Sequence, residues 1–344
     1  MKRISAAVIG CWGHSCHVLA QLESMDAITI SGLAKVFPDD NFSPLQAQSA
    51  KAAKAAIYSD YREMLSHNRP DVAIIGTRLD QIAIVAATAG AAGCHLICEK
   101  PLAKTVDDLA SLSQVVAAHR VGCISMLTNA DQPALRTAAA RIAAGHIGVV
   151  TQAHVRKTYK WDTRPEWFGN PRLYSGTIPW VGIHALDILT LVTGLEPRSI
   201  AARQGNLAHP AMPQCQDHAA LLVTLSNNAT ATISLDFLRP EIAPTHGDDY
   251  IRVSGSLAEI QAFPDRGPDG ICTMLDIQGP ESNETLHPRG CTYRTFIEDI
   301  AAANIAGLAR QTCRAFRLTY VSLIANEAAG ADSFQKIDNL YVAP

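Results

Sequence analysis

Ile4-Ser5-Ala6-Ala7-Val8-Ile9-Gly10-Cys11-Trp12-Gly13-His14-Ser15-Cys16-His17-Val18-Leu19 is the stretch on which the fold turns. A short apolar run ends at a glycine, a tight turn follows, and an apolar helix start comes next. Glycines at a strand-to-helix turn let the backbone approach a pyrophosphate, whose charge the helix N-terminus holds. The match to Gly-x-Gly-x-x-Gly is incomplete, because Trp12 and Ser15 stand at the second and third glycine positions. An ordinary tight turn reads the same in isolation, and the strand–turn–helix context is what favours a nucleotide. Gly10, Trp12, Gly13, His14 and Ser15 are therefore candidate cofactor-binding residues.

Outward from this turn the same grammar repeats. Strands are expected at 4–9, 27–34, 72–76, 95–98 and 122–126, with helices at 18–24, 43–55, 61–66, 81–92 and 106–119. Such alternation reads as a parallel sheet with crossover helices. Beyond residue 127 the pattern changes. A helix at 134–144 leads into longer alternating runs at 149–159, 199–204, 219–226, 230–237, 250–254 and 273–277, which read as antiparallel strands. Helices at 292–306 and 317–331 close the chain. The expected division is a dinucleotide-binding domain over 1–127 and an α+β domain with a large, mostly antiparallel open sheet over 128–344.

Composition narrows the function classes. The 344 residues carry 29 Lys+Arg against 32 Asp+Glu, a net charge of -3, and 48% are hydrophobic. Two domains, or one large one, follow from that length, with ample apolar surface for a core in each. Without a long basic run there is no footprint for nucleic acid or an anionic membrane. No stretch approaches the ~20 unbroken apolar residues of a spanning helix, so a cytoplasmic location is expected. The nine cysteines include no CxxC pair, and no metal site is expected.

The second strand is followed by Lys35 where an acidic residue would bind the ribose hydroxyls of NAD. A cation there favours a 2′-phosphate and hence NADP over NAD; the alternative is an exposed loop lysine.

The segment Gly90-Ala91-Ala92-Gly93-Cys94-His95-Leu96-Ile97-Cys98-Glu99-Lys100-Pro101-Leu102-Ala103 resembles the Gfo/Idh/MocA oxidoreductases, in which Glu-Lys-Pro follows a Gly-x-His strand. Asp60–Leu65, Ile142–Gly148, Gly182-Ile183-His184-Ala185-Leu186-Asp187 and Ala325–Ala329 extend the resemblance over essentially the whole chain. It implies a Rossmann domain, an α/β second domain and NAD(P)-dependent hydride transfer to or from a secondary alcohol or carbonyl of a sugar, polyol or related small molecule. It also implies that Lys100 holds the reacting oxygen, with Glu99 and Pro101 orienting it. A cation at the carboxyl end of a parallel strand can stabilise a developing alkoxide. His184 matches the family's general acid/base, a task suited to imidazole. Asp187, one turn on, either orients that ring or pairs elsewhere.

Departures accompany the matches. Trp180 stands where many members carry an Asp four residues before the histidine, and an indole cannot replace a carboxylate in proton transfer. After the 72–76 strand, Thr77-Arg78-Leu79-Asp80-Gln81-Ile82 lacks the family's proline and histidine. Thr77 stays a cofactor candidate, while Arg78 meets a phosphate, meets an acidic substrate or faces solvent. In the loop 159–179, Trp161, Arg164 and Trp167 join Lys157, Tyr159 and Lys160 in a basic, aromatic run. Such a run either cups a sugar or fills core and subunit contacts. Asn129 is a further pocket candidate. The rival from another class is a non-catalytic regulatory protein that binds nucleotide or sugar, and an imine or cyclic acetal is an alternative substrate class. Family members commonly pair through the open sheet, so a homodimer or homotetramer is expected.

Overall fold

The computed structural model describes residues 2–276, 280–331 and 334–337. The chain divides into two compact units. One comprises residues up to Met126 together with Cys291–Tyr320; the other comprises Leu127–Gly290 with the described residues from Val321 on.

In the first unit the order is β1 (Ile4–Ile9), α1 (Ser15–Glu23), β2 (Ile28–Ala34), α2 (Ser43–Gln48), α3 (Ala50–Ala53), β3 (Ile57–Tyr58), α4 (Tyr61–Asn68), β4 (Val72–Ile75), α5 (Leu79–Ala91), β5 (His95–Cys98), α6 (Val106–His119) and β6 (Cys123–Ser125). All six strands are parallel, in the order β3-β2-β1-β4-β5-β6. The winding reverses between β1 and β4, so a ligand crevice opens at their carboxyl ends. β4 is buried along its whole length and β1 nearly so, which is why they read as apolar runs without alternation. The helix expected over 43–55 breaks at Ser49, whose hydroxyl caps the second piece through Ala52 N–H.

In the second unit the order is α7 (Pro133–Ala143), β7 (Val150–Lys160), α8 (Ile183–Thr193), β8 (Pro197–Gly205), β9 (His218–Leu225), β10 (Thr230–Arg239), β11 (Tyr250–Gly255), β12 (Ala258–Phe263), β13 (Ile271–Asp276) and β14 (Glu281–Asn283). The chain then passes through α9 (Thr292–Ala301) and α10 (Ile305–Ala328) to β15 (Gln335–Lys336). The nine-stranded sheet runs β14-β13-β12-β11-β7-β10-β9-β8-β15. It is antiparallel except at its centre, where β7 and β10 run parallel, a pairing that alternation alone could not reveal. The expected strand 273–277 ends in Ile277, which lies outside the described residues. Along β9 and β10 every second residue is buried, including Leu221, Val223, Ile233 and Leu235. The other face of the sheet carries a shallow hollow of about 600 Å³ lined by His154, Arg203, Leu222, Thr232 and Phe334, among others.

The two compact units part next to residue 127, and the chain after that point contributes to both. α9 and the first two-thirds of α10 belong to the first unit. Tyr293, Phe296 and Ile297 are fully buried in that unit's core, and a Cβ on Gly122 would stand 3.0 Å from the Phe296 ring. Thr312 and Thr319 of α10 accept the N–H groups of Cys123 and Leu102. This return was hidden because an amphipathic helix does not announce which sheet it covers.

Candidate active site

In the first unit the turn after β1 is folded against β4 and the end of β5. Gly10 and Gly13 take φ of +75° and +73°, which side chains rarely adopt. A Cβ at Gly13 would stand 1.8 Å from Oε2 of Glu99, and one at Gly10 would stand 2.3 Å from the Gly76 carbonyl oxygen. Both glycines are therefore required even though the motif is incomplete. Between them, Trp12 is 40% exposed.

Glu99 fastens the turn. Its fully buried carboxylate accepts the His14 backbone N–H at 2.6 Å, His14 Nδ1 at 2.9 Å and the Lys100 N–H at 2.9 Å. Burial pushes its pKa up, but the charge and hydrogen bonding of His14 and the nearby Lys100 outweigh this and hold it at about 2. Glu99 is thus a strut that positions the turn and the backbone of Lys100. Lys100 itself is buried at the carboxyl end of β5.

The residues around the turn fit a dinucleotide. Ser15, at the N-terminus of α1, and Thr77, just past β4, are both buried, and neither hydroxyl has a hydrogen-bond partner among the described residues. Two orphaned hydroxyls beside a glycine turn at the point where strand order reverses are suited to a pyrophosphate and its ribose.

Other expected residues are engaged elsewhere. Lys35 Nζ donates to the Pro38 carbonyl at 2.7 Å. Arg78 is held by Asp80 through Nε at 2.5 Å and a terminal nitrogen at 3.0 Å, and lies 4.4 Å above the Phe37 ring. Arg78 thus forms an internal ion pair with the start of α5, a setting outside the three weighed for it from sequence. Sequence reasoning missed Asp40. This buried carboxylate accepts the Val36 and Phe37 N–H groups at 2.8 and 3.1 Å, and its other oxygen lies 3.5 Å from Cys11 Sγ. Burial and Asp40 push the Cys11 thiol up to about 11. The loop after β2 thus returns an acid to the glycine turn, five residues later than expected.

In the second unit a π-helical turn (Ile178–Gly182) runs directly into α8, which carries His184 and Asp187, both buried. Asn129 is brought to the same place: its Nδ2 donates to Asp187 Oδ2 at 2.9 Å and to the His184 carbonyl at 3.1 Å. Trp180, on the π turn, lies in an aromatic cluster with Trp167, Phe168 and Tyr174, at ring distances of 5.6, 5.5 and 6.2 Å.

Trp161 is only partly available to a ligand. The His209 ring stacks flat on it at 3.7 Å and 7°. Nδ1 of His209 contacts Asp217, whose wholly buried carboxylate also receives Nδ1 of His218 at 2.7 Å and the Ala208 N–H at 2.7 Å. Burial raises the Asp217 pKa, but His218, Ala208, His209 and Leu207 together bring it down to about 2. This group was not found from sequence, since His209 lies 48 residues beyond Trp161 and no spacing rule links them. Lys157 and Tyr159, expected in the substrate cluster, are instead internal. Lys157 is buried in an ion pair with Asp249, and Tyr159 stacks on His246 at 4.8 Å. Among the described residues no cluster of His, Cys, Asp or Glu could hold a metal, and no helix is long and apolar enough to cross a membrane.

Comparison with known proteins places this geometry. Residues 4–126 match the model of the oxidoreductase family with an NAD-binding Rossmann fold, and residues 135–261 match that of the GFO/IDH/MocA C-terminal domain. D-apiose dehydrogenase of Paraburkholderia graminis is 24% identical over 271 residues, covering 77% of this chain and 69% of the relative. An oxidoreductase structure from Thermotoga maritima superposes with a TM-score of 0.88 at 27% identity, covering 97% of this chain and all of that one. Aldose-aldose oxidoreductase from Caulobacter crescentus superposes with a TM-score of 0.80 at 16% identity, covering 98% of this chain and all of that one, a likeness of fold. With the glycine turn, the Glu99-Lys100-Pro101 strand end and both domain models in register along one chain, the protein belongs to the Gfo/Idh/MocA family of NAD(P)-dependent oxidoreductases.

Proposed function

We propose that the protein transfers hydride between NAD(P) and a secondary alcohol or carbonyl of a sugar-like molecule, with Lys100, His184 and Asp187 as its working side chains. The observation that carries the reading is the Glu99 strut, which spends a buried charge on holding the turn and the Lys100 backbone together. The nicotinamide supplies the hydride acceptor in the oxidative direction. Lys100 holds the substrate oxygen and stabilises the negative charge that develops on it. His184 accepts the hydroxyl proton, and Asn129 with Asp187 fixes the start of α8 that presents it. The names of D-apiose dehydrogenase and aldose-aldose oxidoreductase support the sugar class. Asn129, Arg164, Trp167 and Trp180 would line the substrate side, with Trp161 offering what His209 leaves uncovered.

NADP is the favoured cofactor on this reading. Lys35 and Arg62 line one hollow of about 450 Å³ with Ser59 and with Asp60, which pairs with Arg62 at 3.8 Å; the two cations are what suits it to a 2′-phosphate. Asp40 beside Cys11 favours the unphosphorylated ribose, so NAD is the second reading. A homodimer or homotetramer through the open face of the nine-stranded sheet is supported by the apolar hollow there.

The test is NAD(P)H formation on a panel of sugars and polyols. Lys100→Ala should abolish turnover while nucleotide affinity changes little, and His184→Ala should slow turnover and remove a near-neutral limb of the pH profile. Undiminished turnover in Lys100→Ala overturns the assignment.

A further inference from the structure

Arg164 is the most unusual cation of the second unit. It follows β7 in the aromatic segment, with its guanidinium 4.1 Å above the Phe237 ring and 5.9 Å from that of Trp161. One terminal nitrogen donates to the Lys160 carbonyl at 2.6 Å. Its Nε is buried and has no hydrogen-bond partner among the described residues, and the same is true of the Trp167 indole N–H. Nor does any described carboxylate lie within ion-pair distance of Arg164. Asp162, two residues away, is taken by His246 at 2.7 Å, and Glu241 meets Lys160 and Asp162 through its carbonyl and carboxylate.

Burial lowers the pKa of Arg164 and outweighs the attraction of Tyr174, Cys215 and Asp162, so its surroundings penalise the charge on balance. Its neighbours behave differently: Arg156, Lys157, Arg239 and Arg252 on the same sheet all have carboxylate partners. Leaving a buried donor unmade is costly, and leaving a charge uncompensated more so, unless something else completes the pair. Arg164 also belongs to the aromatic cluster that reaches the catalytic helix. Phe168 lies 6.0 Å from its guanidinium and 5.5 Å from Trp180, one turn before His184.

We infer that the substrate carries a carboxylate, as a uronic or aldonic acid does, and that Arg164 receives it with the Trp167 N–H as a further donor. A planar guanidinium with an unfilled edge matches a planar carboxylate in shape, and one cation matches one negative charge. Phe168 and Phe237 are core rings that hold the guanidinium in place from within. The inference rests on the sugar-dehydrogenase reading for its substrate scaffold, but the charge requirement comes from Arg164 alone.

The experiment compares matched pairs on the full-length protein with NAD(P)(H) present: glucuronate with glucose, galacturonate with galactose, gluconate with glucitol, and glucose 6-phosphate as a phosphate arm. Binding is read by thermal shift and turnover by NAD(P)H absorbance. Acids are expected to bind on the order of tenfold or more tighter than their neutral partners. Arg164→Met should erase that ratio and Arg164→Lys should keep part of it, with a wild-type far-UV circular dichroism spectrum and a cooperative melt of the unliganded protein showing that each variant is folded. Acids that bind through Arg164 without being oxidised would sustain the inference and remove the redox reading. Neutral sugars oxidised as well as acids, preference for the phosphate ester, an acid-to-neutral ratio unmoved by Arg164→Met, or no binding of any acid would each overturn it.

Discussion

Replacing Glu99 by Gln removes one charge from the first unit while keeping the side chain's shape, and its effect follows from the contacts at the glycine turn. The native carboxylate takes hydrogen bonds from His14 N–H, His14 Nδ1 and Lys100 N–H, all at a fully buried position. Its folded-state pKa is about 2 against the ordinary 4.5. A depressed carboxyl pKa contributes stability that is complete above the unfolded-state value and is lost as pH falls through the folded-state value. At 1.36 kcal/mol for each step of pH, the charge contributes about 3 kcal/mol above pH 5.5 and about 1.4 kcal/mol at pH 3. Glu99→Gln should therefore destabilise the protein by about 3 kcal/mol at pH 7 and by about half that at pH 3. Urea unfolding of wild type and variant at both pH values reads this directly, and NAD(P)H affinity should fall alongside because the turn loses its anchor. A cost below about 1 kcal/mol at pH 7, or one that does not shrink on acidification, would refute the reasoning.

Two further perturbations probe the scaffold. Phe296→Ala empties a fully buried site under Gly122 and should cost about 3–5 kcal/mol in urea unfolding, which would show that α9 belongs to the Rossmann core. Lys157→Met leaves the buried Asp249 carboxyl without its partner, to be protonated or stranded, and should cost about 3–5 kcal/mol at pH 7, with Lys157→Met/Asp249→Leu recovering most of the loss by thermal melting.

The legible parts of the molecule were those with local signatures. The buried strands β1 and β4 read as apolar runs, Gly10 and Gly13 marked the turn, and Glu99-Lys100-Pro101 stood at a strand end whose sheet position the βα alternation fixes. His184 and Asp187 were legible as a pair because helical spacing puts them one turn apart; that Asn129 joins them depends on a contact across 58 residues. Long-range pairing escaped in the same way elsewhere. The parallel β7–β10 register, the His209–Trp161 stack and the Lys157–Asp249 pair each link segments more than 40 residues apart. Asp40 escaped for a different reason. Its position beside the glycine turn comes from a loop that the Val36 and Phe37 N–H groups fold around its carboxylate, and a rule tied to the last residue of β2 looks in the wrong place.

The central claim is that this chain binds a nicotinamide dinucleotide at the β1 turn. It is tested most directly by titrating the protein with NADPH and with NADH while following nicotinamide fluorescence. Saturable binding of at least one, tighter for NADPH if Lys35 and Arg62 hold a 2′-phosphate and tighter for NADH if Asp40 holds the ribose, is the predicted result. Failure of both to bind would contradict the account and leave the regulatory, non-catalytic reading in its place.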